Sequence, residues 1–166
     1  MNRIDEPGRP PVPVPGKPAA NPPALVIGVH LVLLDEGKVL LGLRKNTSYA
    51  AGMWHLPAGH MEPGEPVSRS MVREAEEELG ITIAEDDLVL VHTLHHLDAD
   101  DGRSRLQLFF RPARHRGHIS NREPHKCAQL SWWPLDQLPE AIVPYTAHAL
   151  GEITRGSALS TVGWSA

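Results

Sequence analysis

Six carboxylates crowd the seventeen residues from Glu62 to Glu78: Glu62, Glu65, Glu74, Glu76, Glu77 and Glu78. Glu74 and Glu78 are four residues apart and share one face if this segment is helical, and Glu77 flanks the same edge. Like charges at that spacing destabilise an isolated helix, so solvent, a nearby arginine or a bound cation must offset the repulsion. Hard divalent cations take carboxylate oxygens and water, and leave positions open for phosphate. Glu74, Glu77 and Glu78 are therefore candidate metal ligands, with the carbonyl of Ala58 or Gly59 available to complete a shell. Arg73 can reach back to Glu65 and orient the preceding loop. Charge alone leaves a second reading open, in which the run is the solvated face of a surface helix.

These residues need elements to position them. Val67, Met71, Ala75 and Leu79 recur every fourth residue and form one apolar stripe, which predicts a helix over Pro66–Leu79. Pro66 suits its first turn and Gly80 the position after its last. Upstream, Ala24–Leu34 reads as one strand, Asp35–Lys38 as a turn, and Val39–Leu43 as the returning strand. Arg44–Gly52 is a polar loop, Trp54–Pro57 a short strand, and Ala58–Pro66 a tight, non-repetitive connection. Downstream, Leu88–Leu97, Arg103–Arg111 and Gln129–Leu135 are strand-like. Pro112–Lys126 is a long polar segment rich in His and Arg, and Tyr145–Arg155 is a closing helix. Strands and helices in this order predict a compact α/β or α+β domain.

The acidic residues also stand in a fixed frame. Gly59 is followed after five residues by Glu65, and after seven more by Arg73-Glu74. Then come Ala75, any residue, Glu77-Glu78, any residue, Gly80 and Ile81. This frame resembles the Nudix box of the Nudix hydrolases, the MutT-like pyrophosphohydrolases, with Ala75 a small occupant of an aliphatic position. The resemblance covers roughly residues 24–154 and implies the Nudix fold, a mixed β-sheet sandwiched between helices. It implies hydrolysis of a nucleoside diphosphate linked to another group, with Mg²⁺ or Mn²⁺ as cofactor. It makes Glu74, Glu77 and Glu78 metal ligands, with Glu78 nearest the core metal cluster and Ala58 offering its carbonyl. Arg73 and Glu65 orient the loop and helix. A general base drawn from a loop between late strands would be Glu123, as base or additional metal ligand, with Glu77 the other candidate. The expected substrate is a nucleoside or deoxynucleoside triphosphate, cleaved to monophosphate and pyrophosphate. A nucleotide-sugar or ADP-ribose-type diphosphate is the alternative, and a non-catalytic nucleotide-binding module a third reading.

Substrate contacts are read from residues near that frame. Arg44 and Lys45 end the second strand and can meet phosphate; His125 and Lys126 can contact phosphate or base. His60 sits in the box loop and can approach the phosphates. Tyr49 and Asn46 share the polar loop, where Tyr49 is the aromatic expected to be exposed. Trp132 and Trp133 point to opposite faces of a strand, so one packs inside while the other lines a pocket, and Trp133 is the pocket candidate. No His pair has the spacing of a zinc motif, so most of the ten histidines are expected to be ordinary polar or half-buried residues. The single Cys, Cys127, excludes an internal disulfide framework and is expected to be buried and inert.

Composition bounds the rest. The chain has 166 residues, 41% of them hydrophobic, enough for one cored domain. The net charge of -4, with no basic run interleaved with aromatics, argues against a polynucleotide partner. No apolar run is long enough for a bilayer and none follows a basic start, so a cytoplasmic chain without a secretory leader is expected, as monomer or homodimer. Eight of the sixteen prolines fall in residues 1–23, which predicts a flexible N-terminal arm ahead of a domain over 24–154 and a C-terminal tail over 155–166.

Overall fold

The apolar stripe at every fourth residue does form a helix, and everything else is arranged around the face it buries. In the computed structural model, which describes residues 25–164, α1 spans Val67–Leu79. The proline-rich arm expected over 1–23 lies outside the described residues. Pro66 occupies the N-cap, and Gly80 ends the helix in the left-handed conformation at φ 69°. Met71, Ala75 and Leu79 are buried against Val29, Leu31, Leu108 and Phe110. Burying side chains of this size is worth about 1.5–3 kcal/mol each.

The partners of α1 lie on a five-stranded mixed sheet. Its strands are β1 (Val26–Leu31), β5 (Ala58–His60), β6 (Leu88–Leu97), β7 (Ser104–Pro112) and β9 (Leu159–Val162), in the order β5-β1-β7-β6-β9. β1 runs parallel to β7 and β6 parallel to β9; the other pairs are antiparallel. Side-chain alternation serves both faces. Val29, Leu31, Leu108 and Phe110 face α1, whereas Phe109 packs with Leu94 toward α2 (Pro144–Thr154), where Ala149 and Leu150 are buried. The sheet is thus held between two helices, each over its own core.

A second, antiparallel sheet is built on β3 (Lys38–Arg44), which pairs with β8 (Cys127–Pro134) and with β2 (Leu34–Asp35) and β4 (Trp54–His55). This corrects the reading of Ala24–Leu34 as one strand. The apolar run breaks at Val32-Leu33: Val32 still bonds to Phe110 of the first sheet, while the Leu33 carbonyl already accepts from Leu40 of the second. Continuous hydrophobicity hid the break because both halves are buried. The hairpin itself is as expected, with Glu36 and Gly37 both at positive φ in a two-residue loop.

Two other segments differ from expectation. Ala58–His60 is the edge strand β5, paired with β1, rather than a plain connection. Three residues without a β-branched or aromatic-hydrocarbon side chain carry no strand signal, and the pairing comes from the neighbour. Residues 155–166, expected as a tail, contribute β9 beside β6. Only four residues long and followed by Gly163, it gives too short an alternation to read. Among the described residues, no helix is long and apolar enough to cross a membrane.

Candidate active site

The cleft lies where the two sheets and α1 meet, a cavity of about 710 Å³. Its acidic wall is made by close approach of β5 to α1. A Cβ on Gly59 would stand 1.9 Å from Glu74 Oε1, so only glycine admits the carboxylate there. Arg73 then organises the corner. Its guanidinium donates to both Glu65 oxygens (2.8 and 3.3 Å), to Glu74 Oε1 (2.8 Å), to Glu77 Oε2 (3.3 Å) and to the His60 carbonyl (3.2 Å). Glu65 also accepts from the Glu62 N–H at 2.8 Å, which ties the β5–α1 loop to the helix. The Arg73 hydrogen bond holds the Glu65 carboxyl down at about 2.

Glu78 is the most unusual group. It lines the cleft, and its Oε2 accepts from the Ala58 N–H at 3.0 Å. That N–H is available because β5 is an edge strand, and in extended backbone the Ala58 carbonyl points the same way as its N–H. Burial, then the charge of Glu74, pushes the Glu78 carboxyl up to about 8. Burial also raises Glu74, against the pull of Arg73. Two half-buried carboxylates side by side are costly unless protonated or shared by a cation.

Glu123 reaches the same wall from a long loop. Ser120 and Arg122 donate backbone N–H groups to the Leu79 and Glu78 carbonyls, so this loop satisfies the end of α1. Asn121 Oδ1 accepts from the Glu123 N–H at 3.1 Å, and Lys126 Nζ donates to Glu123 Oε1 at 2.8 Å. The loop is pinned from the other side by Lys45 Nζ on the Pro124 carbonyl and Asn46 Nδ2 on the His125 carbonyl.

The structure thus gathers Ala58, Glu74, Glu77, Glu78, Glu123, Lys126, Arg44, Tyr49 and His60 on one cleft, with Arg73 behind the carboxylates. Arg44 donates to the Tyr49 carbonyl at 3.0 Å and lies over its ring, at the cleft mouth. Glu65, Asn46 and His125 do not line the cleft; Glu65 and Asn46 brace it. Trp133 stands apart: it packs edge-on to Trp54 in the α2 core, while its neighbour Trp132 is exposed. The alternation was right and the inward residue belongs to the core, not to the cleft. Cys127 is half-buried in the cleft wall rather than fully buried, and burial pushes its thiol up.

Several lining residues escaped the sequence reading. His30, His55, His96, Gln107, Arg105 and Tyr145 close the end of the cleft away from the acidic wall. Burial lowers His30 to about 4 and lowers His55 well below the usual imidazole range, so both rings are neutral at pH 7. His55 Nδ1 is bonded to Thr146 Oγ1 at 2.6 Å and its Nε2 to Tyr145 Oη at 3.2 Å. The available signal was His30 interrupting an apolar run, and Arg105 and Gln107 alternating with leucines; alternation alone does not tell whether the polar face meets water or a cleft.

The donor chemistry of the acidic wall fits a hard divalent cation: few carboxylates, one backbone carbonyl, and room for water and phosphate. Among the described residues, no three His, Cys, Asp or Glu side chains are already drawn into a ligand cage. Arg73 engages Glu74 and Glu77, while Glu78 is held by the Ala58 N–H and Glu123 by Lys126.

Comparison with known proteins gives the same direction. A family model for the NUDIX domain matches residues 24–152. The chain is 33% identical over 141 residues to human 8-oxo-dGDP phosphatase NUDT18, covering 79% of this chain and 40% of that protein. It thus spans about two fifths of the length of that relative. It is 38% identical over 64 residues to the CTP pyrophosphohydrolase of Escherichia coli K12, covering 39% of this chain and 47% of that one. Among solved structures, a MutT NUDIX hydrolase from Burkholderia pseudomallei superimposes with a TM-score of 0.70 at 32% identity, covering 77% of this chain and 97% of that one.

Proposed function

This chain belongs to the NUDIX domain family, and on that premise we propose that it is a divalent-metal-dependent pyrophosphohydrolase of nucleoside phosphates, cleaving a nucleoside or deoxynucleoside triphosphate to monophosphate and pyrophosphate. The observation that carries the reading is the Glu78 carboxyl, withdrawn from solvent beside Glu74, both on a cleft wall that Glu123 joins from the loop after β7. The relatives' names, an 8-oxo-dGDP phosphatase and a CTP pyrophosphohydrolase, support nucleotides as the substrate class. A nucleoside diphosphate is the second reading, favoured by the similarity to the human protein over 79% of this chain.

Glu74 and Glu78 would hold Mg²⁺ or Mn²⁺, with Glu77, Glu123 and the Ala58 carbonyl as further donors. The chemistry such an ion supplies is neutralisation of phosphate charge and a lower pKa for bound water. Arg73 keeps Glu74 and Glu77 in place and fixes the loop through Glu65. Lys126 holds Glu123 by one oxygen, and the other would take a proton from water in the cleft that Glu123 lines. Lys126 and Arg44 add positive charge for phosphate oxygens, and Tyr49 offers an aromatic face at the mouth.

The deciding experiment is an assay with Mg²⁺ and Mn²⁺ over nucleoside di- and triphosphates, nucleotide sugars and dinucleotides, with products identified. Monophosphate and pyrophosphate from a triphosphate are expected. Absence of metal-dependent hydrolysis across the panel would overturn the enzyme reading and leave a binding module.

A further inference from the structure

The end of the cleft away from the carboxylates is built around one amide. β1 and β7 run parallel with Gly28 registered on Gln107, and His30, two residues on, shares the face of Gly28. His30 Nε2 lies 2.8 Å from Gln107 Oε1. A Cβ on Gly28 would stand 1.9 Å from that same oxygen, so the glycine leaves the space the amide fills. The imidazole cannot swing away: it is stacked on Phe109 with ring centres 4.6 Å apart and meets His55 and Tyr145 edge-on.

The hydrogen bond fixes which way the amide points. His30 Nδ1 is buried without a partner. An unpaired acceptor is tolerated better in a protein interior than an unpaired N–H, so the ring proton sits on Nε2 and is donated to Gln107 Oε1. The Gln107 amide nitrogen then turns away from His30. Among the described residues, the buried polar side-chain atoms without partners are His30 Nδ1, His96 Nδ1 and Trp133 Nε1. The Gln107 nitrogen is not one of them: among the described residues it has no hydrogen-bond partner, and it keeps access to the cleft that Gln107 lines. The groups around it are uncharged imidazoles and the Tyr145 phenol. Of the cations on the cleft, Arg105 is tied to Asp98 at 2.9 Å and also to Asp101, and Arg44 to the Tyr49 carbonyl. Such a surround suits an uncharged, hydrogen-bonding heterocycle and not a phosphate.

We propose that Gln107 is a specificity-determining residue of this cleft: held by His30 over Gly28, it donates an amide N–H to an oxo group of the substrate's base. The assignment rests on the nucleotide reading above and sharpens it from a substrate class to a hydrogen-bonding edge.

The test uses pairs of nucleotides that differ as oxo against amino: ITP with ATP, and UTP with CTP. Steady-state kinetics of the full chain with Mg²⁺ should favour the oxo member of at least one pair by about tenfold or more, carried mainly by KM. Gln107→Leu should bring that ratio to within about threefold. Gln107→Glu, similar in shape but only an acceptor, should reverse it, and carries the test if the Leu variant does not fold. His30→Phe, which leaves Gln107 in place but unlocked, should give an intermediate ratio. Equal use of both members in both pairs, or a ratio that survives Gln107→Leu, overturns the role of Gln107 while leaving the enzyme reading intact. If the wild type hydrolyses none of the four, the triphosphate reading fails and the Gln107 assignment does not. Calorimetric binding of IMP against AMP and of UMP against CMP, in wild type and Gln107→Leu, then decides the Gln107 assignment by itself.

Discussion

A carboxyl group buried against a second carboxylate must keep its proton or find a cation, and Glu78 is in that position. Its roles in stability and in catalysis therefore pull in opposite directions. The folded value of about 8 lies above the ordinary 4.5, so the metal-free folded chain holds this proton more tightly than the unfolded chain does. That contribution is fully present below 4.5 and is lost as the pH rises through 8. Melting curves in chelator between about pH 5 and about pH 8.5 should show a Tm that falls with pH more steeply in wild type than in Glu78→Gln. Stabilisation by added Mg²⁺ should grow over the same range. Parallel pH curves for the two proteins would show that Glu78 is not the group responsible. In the assay, Glu78→Gln keeps an oxygen for the Ala58 N–H but removes the charge. Turnover should drop on the order of a hundredfold to a thousandfold, with nucleotide binding partly retained. Near-normal kcat would remove Glu78 from the site.

Among the elements, α1 and its approach to β5 decide where these carboxylates stand. Gly59→Ala tests that approach directly, because its new Cβ would collide with Glu74. The expected outcome is a folded chain whose activity falls at least about tenfold as Glu74 is displaced. Gly64→Ala has open space around it and a positive φ, so it should cost about 1–2 kcal/mol of stability and little activity. Equal effects of the two substitutions in paired assays and melts would mean that the contact is not decisive. α1 was legible from the sequence because three independent signals agreed: the four-residue apolar repeat, Pro66 at its start and Gly80 at its end. The acidic side chains on it were legible because their spacing is a property of that one helix. β5 and the uncharged end of the cleft were not, because they are made by register between strands distant in sequence. Gly28 and Gln107 are neighbours only once β1 lies beside β7. A strand's alternation tells which residues share a face, not whether that face meets water or a cleft.

For the molecule as a whole, the folding unit reaches further than the region with family likeness. The family match ends at residue 152, yet β9 continues the main sheet at Leu159–Val162. It is bound in by more than backbone pairing. His92 is buried, with Nδ1 2.7 Å from the Ser157 carbonyl and Nε2 2.9 Å from Ser160 Oγ. Since a carbonyl only accepts, Nδ1 carries the proton and Nε2 accepts from the Ser160 hydroxyl. Gly163 passes so close to the Leu97 carbonyl that a Cβ there would stand 2.2 Å from it, and Trp164 Nε1 donates to the His95 carbonyl at 3.2 Å. β9 pairs with β6 as far as His96, which lines the cleft, so the strand braces the site as well as the sheet. Removing residues 156–166 would leave both His92 nitrogens without partners at about 1–3 kcal/mol each, and would expose the edge of β6. Urea unfolding should accordingly show a loss of at least about 3 kcal/mol for the shortened chain, against about 1–2 kcal/mol for Ser160→Ala, which removes the hydroxyl shared by His92 and His148 but keeps the Ser157 carbonyl. KM should rise in the shortened chain more than kcat falls, because the strand supports the end of the cleft remote from the carboxylates. A shortened chain within about 1 kcal/mol of the full one, with unchanged KM, would mean that β9 rests on a sheet already complete without it.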